Sequence, residues 1–196
     1  MDFMSRLAYL LVFLFSLNGC TTLAFDNVWR APDVTVPALG RTVVHAQLAG
    51  EADRRRAEDL LAQMMMPALD TTPAYTLNAP DDAALKAAAV RQGFGSLLVM
   101  KIIASREQTV YRTPPPVFYG PGWGWRAPFG YPYPYDPVVT ERIRIVRVEM
   151  NLIALADDKL LWSGNTELAD SASLDASVRA LGDTTLKALV KAGLVP

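Results

Sequence analysis

The residues able to carry acid–base or nucleophilic chemistry are few and far apart in this sequence. The chain has one histidine, His45, and one cysteine, Cys20, which is too little for a transition-metal site or a histidine-based triad. Asp81-Asp82 and Asp157-Asp158 are neighbouring carboxylates, but such pairs most often cap helices or form turns. Ser163 lies in a predicted strand with no base near it. We therefore expect no catalytic residue, no metal and no cofactor.

The segment 113–139 differs in composition from the rest of the chain, with eight prolines, four glycines and eight aromatic residues. Loops this long are usually functional or disordered, and proline cannot donate to a sheet ladder. Three interpretations stay open. The segment is a weakly ordered loop whose rings fold back on the domain, a tip that stacks on glycan rings or docks a protein, or a stretch that enters a bilayer interface. The candidate binding residues of the tip are Trp123, Trp125, Arg126, Tyr131, Tyr133 and Tyr135.

The N-terminus has the pattern of an export signal. Leu7 to Leu17 is an apolar run of 11 residues behind Arg6, too short to span a bilayer but matching the core of a signal peptide. Leu17, Gly19 and Cys20 then resemble the lipobox of bacterial lipoproteins, where a peptidase cleaves before the cysteine. A plain signal peptide followed by a chance cysteine is the alternative.

The lipobox resemblance implies that residues 1–19 are removed and that Cys20 carries acyl chains, palmitate among them, on its sulfur and its amine. Two or three chains anchor a protein firmly, because each buried methylene contributes about 0.8 kcal/mol. Thr21 is not an aspartate, which by the sorting rule of such lipoproteins implies the outer membrane, with the protein on its periplasmic face.

Residues 20–40 are expected to form the lipid anchor and a tether, which reaches roughly 65 Å if fully extended. Phe25 and Trp29 are expected to pack partly on the domain. The remainder, 41–196, has the length of one domain with its own core. A net charge of −1 gives no field that favours nucleic acid as a partner, and a single cysteine excludes an internal disulfide.

Hydrophobic periodicity predicts an α/β domain with the element order β-α-β-α-β-β-β-α. The order implies one mixed sheet with the helices packed on it, and 113–139 forms the tip of a long hairpin. A change of alternation between Ile145 and Val146 predicts a β-bulge there. Strands are predicted at 42–48, 74–78, 97–112, 140–156 and 159–168, and helices at 51–65, 82–92 and 174–192.

Local signals refine these elements. Asp81 or Asp82 is expected to cap the second helix, and Gly93 and Gly193 are expected to end the second and third helices. The basic run 54–56 is expected to be a solvated helix face.

Several short stretches of the sequence resemble one family. They are Arg54–Leu61, Ala88–Val99, Val148–Leu155, Lys159–Thr166 and Gly193–Pro196, and together they are similar to small, functionally uncharacterised bacterial outer-membrane lipoproteins. The resemblance implies a fold like the N-terminal domain of TolB and like the lipoprotein activators of penicillin-binding proteins. The resemblance identifies no catalytic residues in this sequence, and similarity of fold alone says little about function.

The sequence therefore predicts a membrane-anchored periplasmic lipoprotein that acts as a non-catalytic binding or scaffolding module of the cell envelope, with a protein or glycan partner. The alternative is an enzyme acting on envelope glycan, such as a hydrolase. That alternative requires a pocket in which His45 meets a carboxylate within hydrogen-bond reach, whereas a purely structural histidine is the favoured interpretation.

Overall fold

The computed structural model describes residues 23–32, 39–112, 139–169 and 173–196. These residues form a six-stranded mixed sheet and three α-helices, which confirms the predicted fold class. The strands are β1 (Asn27–Arg30), β2 (Arg41–Gln47), β3 (Thr71–Pro73), β4 (Phe94–Arg112), β5 (Val139–Ala154) and β6 (Lys159–Ala169). The helices are α1 (Glu51–Met65), α2 (Asp82–Arg91) and α3 (Leu174–Lys191), with a 3-10 helix at Ala74–Leu77.

The strands lie in the order β1-β6-β5-β4-β2-β3. β2 pairs in parallel with both β3 and β4, and the other neighbours are antiparallel. The connections through α1 and α2 supply the parallel pairs, because parallel neighbours need a crossover. β4, β5 and β6 follow one another as the predicted meander.

Two hydrophobic cores lie on opposite faces of the sheet. Successive strand residues point to opposite faces, so Val43 and Val44 enter different cores. The larger core lies between the sheet and the helices α1 and α3, whose Leu61 and Leu181 are buried in it. The smaller core lies beneath α2, around Leu85. All three helices are therefore packed on the sheet, as predicted.

The helix ends follow the sequence signals. Asp81 caps α2, since its side chain accepts a hydrogen bond from the backbone N–H of Ala84 at 2.7 Å. Gly93 and Gly193 follow α2 and α3 with φ of +77° and +66°, a conformation that glycine adopts without steric cost. The predicted cap and both predicted stops are confirmed.

The basic run 54–56 is paired with acids, and Arg55 and Arg56 are exposed whereas Arg54 is half-buried. Arg56 makes a two-point ion pair with Asp175 at the start of α3, and its Nη2 lies 2.6 Å from Oδ2. The hydrogen bond from Arg56 lowers the pKa of Asp175. Arg54 and Arg55 both bind Glu51, and their hydrogen bonds lower the pKa of that carboxyl. Pairs this exposed contribute little to the free energy of folding, but the first one joins α1 to α3.

Part of the expected tether belongs to the sheet. Asn27–Arg30 forms β1, which pairs antiparallel with β6. Phe25 packs edge-to-face on buried Trp162, with the ring centroids 5.2 Å apart, whereas Trp29 is 48% exposed. A Cβ on Gly164 would lie 2.7 Å from the Trp162 ring and 2.9 Å from Phe25, so a glycine is required beneath the two rings. The packing prediction is confirmed for Phe25.

Residues 74–78, predicted as a strand, were assigned wrongly. Ala74–Leu77 is a 3-10 helix, and the short strand comes just before it at Thr71–Pro73. Pro73 has no N–H to continue a ladder, and Asn78 ends the turn with φ of +50°. β3 therefore pairs with β2 only as far as Val44, and the residues of β2 after Val44 have no neighbouring residue in β3.

The predicted bulge lies on the other strand of the hairpin. β5 keeps its register with β4 through Ile145 and Val146, and the shift occurs between Ile102 and Ala104 of β4. Because strand residues alternate, Ile145 and Val146 face opposite sides of the sheet. The apolar residues of β5 therefore change face at this point without an inserted residue, which explains the misleading pattern.

β4 and β5 continue past the sheet as a two-stranded arm, formed by residues 107–112 and 139–144. β2 pairs with β4 only as far as Lys101, and β6 pairs with β5 only as far as Ile145. Six further residue pairs extend the hairpin, and no third strand joins them among the described residues. At about 3.4 Å per residue the arm projects roughly 20 Å beyond β6. The segment 113–139 connects the two strands at the end of this arm.

Candidate functional site at His45

His45 lies in β2 with its imidazole held between two carboxylates. Its Nδ1 is 3.0 Å from Oε1 of Glu58, and its Nε2 is 3.2 Å from Oδ1 of Asp82. The histidine is 8% exposed. The carboxylate contact that a catalytic role requires is therefore present, and it occurs on both ring nitrogens.

Glu58 is fully buried, and its position depends on the short length of β3. The backbone N–H of Thr42 bonds the main chain at Asp70, and every second N–H of β2 points to that same edge. Beyond Pro73 the N–H of Ala46 has no strand to meet. Oε1 of Glu58 accepts its hydrogen bond at 3.2 Å. The carboxylate thus takes the place of the missing strand.

The second oxygen of Glu58 binds the next element of the chain. Oε2 accepts a hydrogen bond from the backbone N–H of Tyr75, in the 3-10 helix, at 2.8 Å. Arg54, one turn earlier in α1, places Nη1 3.5 Å from Oε1. A buried carboxylate is strongly destabilising without such partners. Here it joins β2, α1 and the 3-10 helix.

The Tyr75 hydroxyl donates a hydrogen bond to Oδ1 of Asp59 at 2.9 Å. This bond raises the pKa of Tyr75, because the phenol proton is held by an anion. The 3-10 helix is therefore attached to α1 through its backbone and through its side chain.

Asp82 opens α2 and connects it to β2. The sequence left either Asp81 or Asp82 as the cap, and in the structure Asp81 caps while Asp82 turns toward the sheet. Its Oδ2 accepts a hydrogen bond from Nε2 of Gln47 at 2.8 Å. Its side chain is 65% exposed, in contrast to buried Glu58 on the other side of the ring.

Two open cavities meet at His45, Asp82 and Leu85. One, of about 260 Å³, runs along the sheet past Gln47, Lys86, Val99, Lys101, Glu149 and Asn151. The other, of about 290 Å³, runs toward α1 past Glu51, Arg54, Pro80 and Asp81. Together they present carboxylates, amides and lysines to solvent over an apolar floor.

The groups at this site can bind a polar ligand and exchange protons with it. Neither of these two cavities has a serine, threonine or cysteine among its described lining residues. The two carboxylates approach opposite nitrogens of one ring, so they do not converge on a common point. Within the described ranges no group of three acidic, histidine or cysteine side chains is arranged to hold a metal ion.

Glu58 is the residue of this site that the sequence analysis missed. It lies three and four residues before Leu61 and Ala62, on the stripe of α1 that is buried. A single acid within an apolar helical stripe was the available signal. The sequence does not reveal which backbone groups such an acid will satisfy.

The other predicted site residues lie outside the described ranges. These are Cys20 and the candidate tip residues Trp123, Trp125, Arg126, Tyr131, Tyr133 and Tyr135. In the described part of the chain no helix combines the length and the hydropathy needed to cross a membrane. Asp157-Asp158 lies in the turn between β5 and β6, where Asp158 has φ of +55° and pairs with Lys86.

No protein-family model matches the sequence, and no curated protein matches it. Among solved structures, a point variant of the PelC dodecamer from Paraburkholderia phytofirmans has 14% identity and a TM-score of 0.46, covering 82% of this chain and 95% of that one. The lipoprotein GNA1162 from Neisseria meningitidis has 10% identity and a TM-score of 0.40, covering 78% and 99%.

A PDZ domain protein from Parabacteroides distasonis has 13% identity and a TM-score of 0.39, covering 86% of this chain and 35% of that one. Similarities this low support no statement about function or assembly. The expected likeness to TolB and to the activators of penicillin-binding proteins stays a prediction.

Replacing Glu58 by alanine is expected to destabilise the fold by about 3–5 kcal/mol, because it leaves buried N–H groups without partners. Asp82→Asn changes the exposed carboxylate on the other side of the same ring, and it is expected to cost less than about 1 kcal/mol. Urea denaturation of both variants and the parent protein measures the difference. Equal losses would show that Glu58 does not close the edge of the sheet.

Proposed function

We propose that this protein is a lipid-anchored, periplasmic lipoprotein of the outer membrane that acts as a non-catalytic binding or scaffolding module of the cell envelope. The lipobox residues Leu17, Gly19 and Cys20 support the anchor. In this proposal the partner is an envelope protein or glycan, and the segment 113–139 makes the contact. Neither a cofactor nor a nucleic acid takes part.

The observation that carries the binding role is the two-stranded arm. An isolated two-stranded ribbon is only marginally stable in water, yet residues 107–112 and 139–144 extend beyond the third strand. The arm ends at Arg112 and Val139, away from the rest of the sheet. That segment is the part of the sequence richest in Trp and Tyr, the side chains that most often dominate binding interfaces.

Removing most of the segment 113–139 while keeping the arm tests this role. Replacing residues 114–137 with a two-residue Asn-Gly turn closes the hairpin by a favoured connection, so we expect an unchanged melting temperature and loss of the crosslinked partner. Trp123→Ala with Trp125→Ala is expected to weaken capture at least tenfold. Crosslinking and mass spectrometry of the lipidated protein in its own envelope measures both.

The control is Trp29→Ala, which removes a half-exposed tryptophan from β1 and leaves the arm intact. It is expected to keep every crosslink. An unchanged set of partners after removal of 114–137 would overturn the role of the tip, whatever the state of the anchor.

The anchor and its membrane are tested separately. Cys20→Ser is expected to abolish palmitate labelling, because serine cannot form the thioether that carries the first acyl chains, and without cleavage position 20 has no free amine to acylate. Thr21→Asp is expected to keep the label and to shift the protein to the inner-membrane fraction on a density gradient. Palmitate incorporation into the Cys20→Ser protein would contradict the assignment.

An enzyme acting on envelope glycan is the second candidate, because His45 meets two carboxylates beside open cavities. It requires that the purified protein release soluble fragments from peptidoglycan, and that Asp82→Asn slow the release at least tenfold without a change in melting temperature. We expect no release by the parent protein. A catalysed, Asp82-dependent release would replace the binding proposal with this one.

A further inference from the structure

The chain is fixed to the domain only three residues after Cys20. The Thr184 hydroxyl, in α3, shares its one proton between the carbonyl oxygen of Ala180 at 2.8 Å and that of Leu23 at 3.1 Å. The Thr166 hydroxyl, in β6, donates to the carbonyl oxygen of Ala24 at 2.6 Å. The next residues continue these contacts through the Phe25–Trp162 ring pair and the pairing of β1 with β6.

This attachment changes the reach of the anchor. Three residues span at most roughly 10 Å, compared with the roughly 65 Å expected when the whole of 20–40 is free. If Cys20 carries the acyl chains, as proposed above, the surface around Leu23 lies within that distance of the lipid headgroups. The domain is then held against its membrane on one defined side.

The surface at that point has the composition of a membrane-facing patch. A groove of about 380 Å³ lies between the lead-in to β1 and α3, and its lining includes apolar Leu23, Phe25 and Val28 together with Asp183, Lys187 and Lys191. Val28 is 54% exposed. We call this surface the anchor face.

The lysines of the anchor face are one helical turn apart on α3, so they lie on the same side of the helix. Lys187 pairs with Asp183 at 2.6 Å, and its side chain is still 68% exposed. Lysine stems cover apolar surface while their ammonium groups reach phosphate oxygens at the level of the headgroups. An exposed valine beside them suits the boundary between headgroups and acyl chains.

We propose that the anchor face docks on the phospholipid surface of the bilayer that holds Cys20. Val28 meets the headgroup region, and Lys187 and Lys191 meet lipid phosphates. The partner is the membrane itself, and the short chain between Cys20 and Leu23 fixes which side of the domain it meets. The inference rests on the lipid anchor proposed above and is independent of the aromatic segment.

Two valines of matched exposure provide the test. Val28→Cys lies on the anchor face, and Val90→Cys, 53% exposed, lies on α2 against the opposite face of the sheet. Each full-length, lipidated variant is labelled with a thiol-reactive fluorophore and reconstituted in vesicles of phosphatidylethanolamine and phosphatidylglycerol that contain a headgroup quencher. We expect at least threefold stronger quenching at position 28. Equal quenching, or stronger quenching at position 90, would overturn the docking.

A second variant lengthens the connection. Fifteen Gly/Ser residues inserted between Thr21 and Thr22 are expected to reduce the quenching at position 28 at least twofold, because the face is then no longer held at the surface. Unchanged quenching would show that the short connection does not place the face. Flotation with the vesicles reports the anchor independently: protein that floats but shows equal quenching at both positions refutes only this inference, whereas protein that does not float refutes the anchor as well.

Discussion

The carboxylate of Glu58 is the interaction on which the rest of the structure depends. β3 ends at Pro73, which would leave an open edge on β2 in the middle of the domain. Glu58 closes that edge by accepting hydrogen bonds from Ala46 and Tyr75. His45 contacts the same carboxylate and also contacts Asp82 at the start of α2. One buried carboxyl group thereby sets how α1, the 3-10 helix and α2 are placed around β2.

Local sequence patterns were sufficient to predict most of the helices and strands of the fold. The helices α1 and α3 have clear apolar stripes, α2 has a capping aspartate and a terminal glycine, and β4 to β6 alternate along a meander. What the sequence concealed depends on distant partners. β1 has four residues and becomes a strand only through β6. The role of Glu58 depends on backbone groups in two other elements, and no local pattern indicates them.

The site at His45 combines an arrangement that resembles a catalytic one with contacts that the fold requires. A histidine between two acids resembles part of a proton relay. Each contact also has a structural reason, because Glu58 satisfies main-chain donors and Asp82 joins α2 to β2 through Gln47. Among the described lining residues of the two cavities there is no serine, threonine or cysteine. The exposed arm and the groove beside Lys191 are further surfaces that the described part of the chain presents to solvent.

The contact that holds Ala24 in place comes from Thr166, 142 residues further along the chain. Closing a loop of that length has an entropic cost that only the contacts of the rest of the fold can offset. The residues that lead into β1 therefore join the domain only when β6 and α3 are in place. Their attachment to the surface thus reports whether the whole fold has been completed.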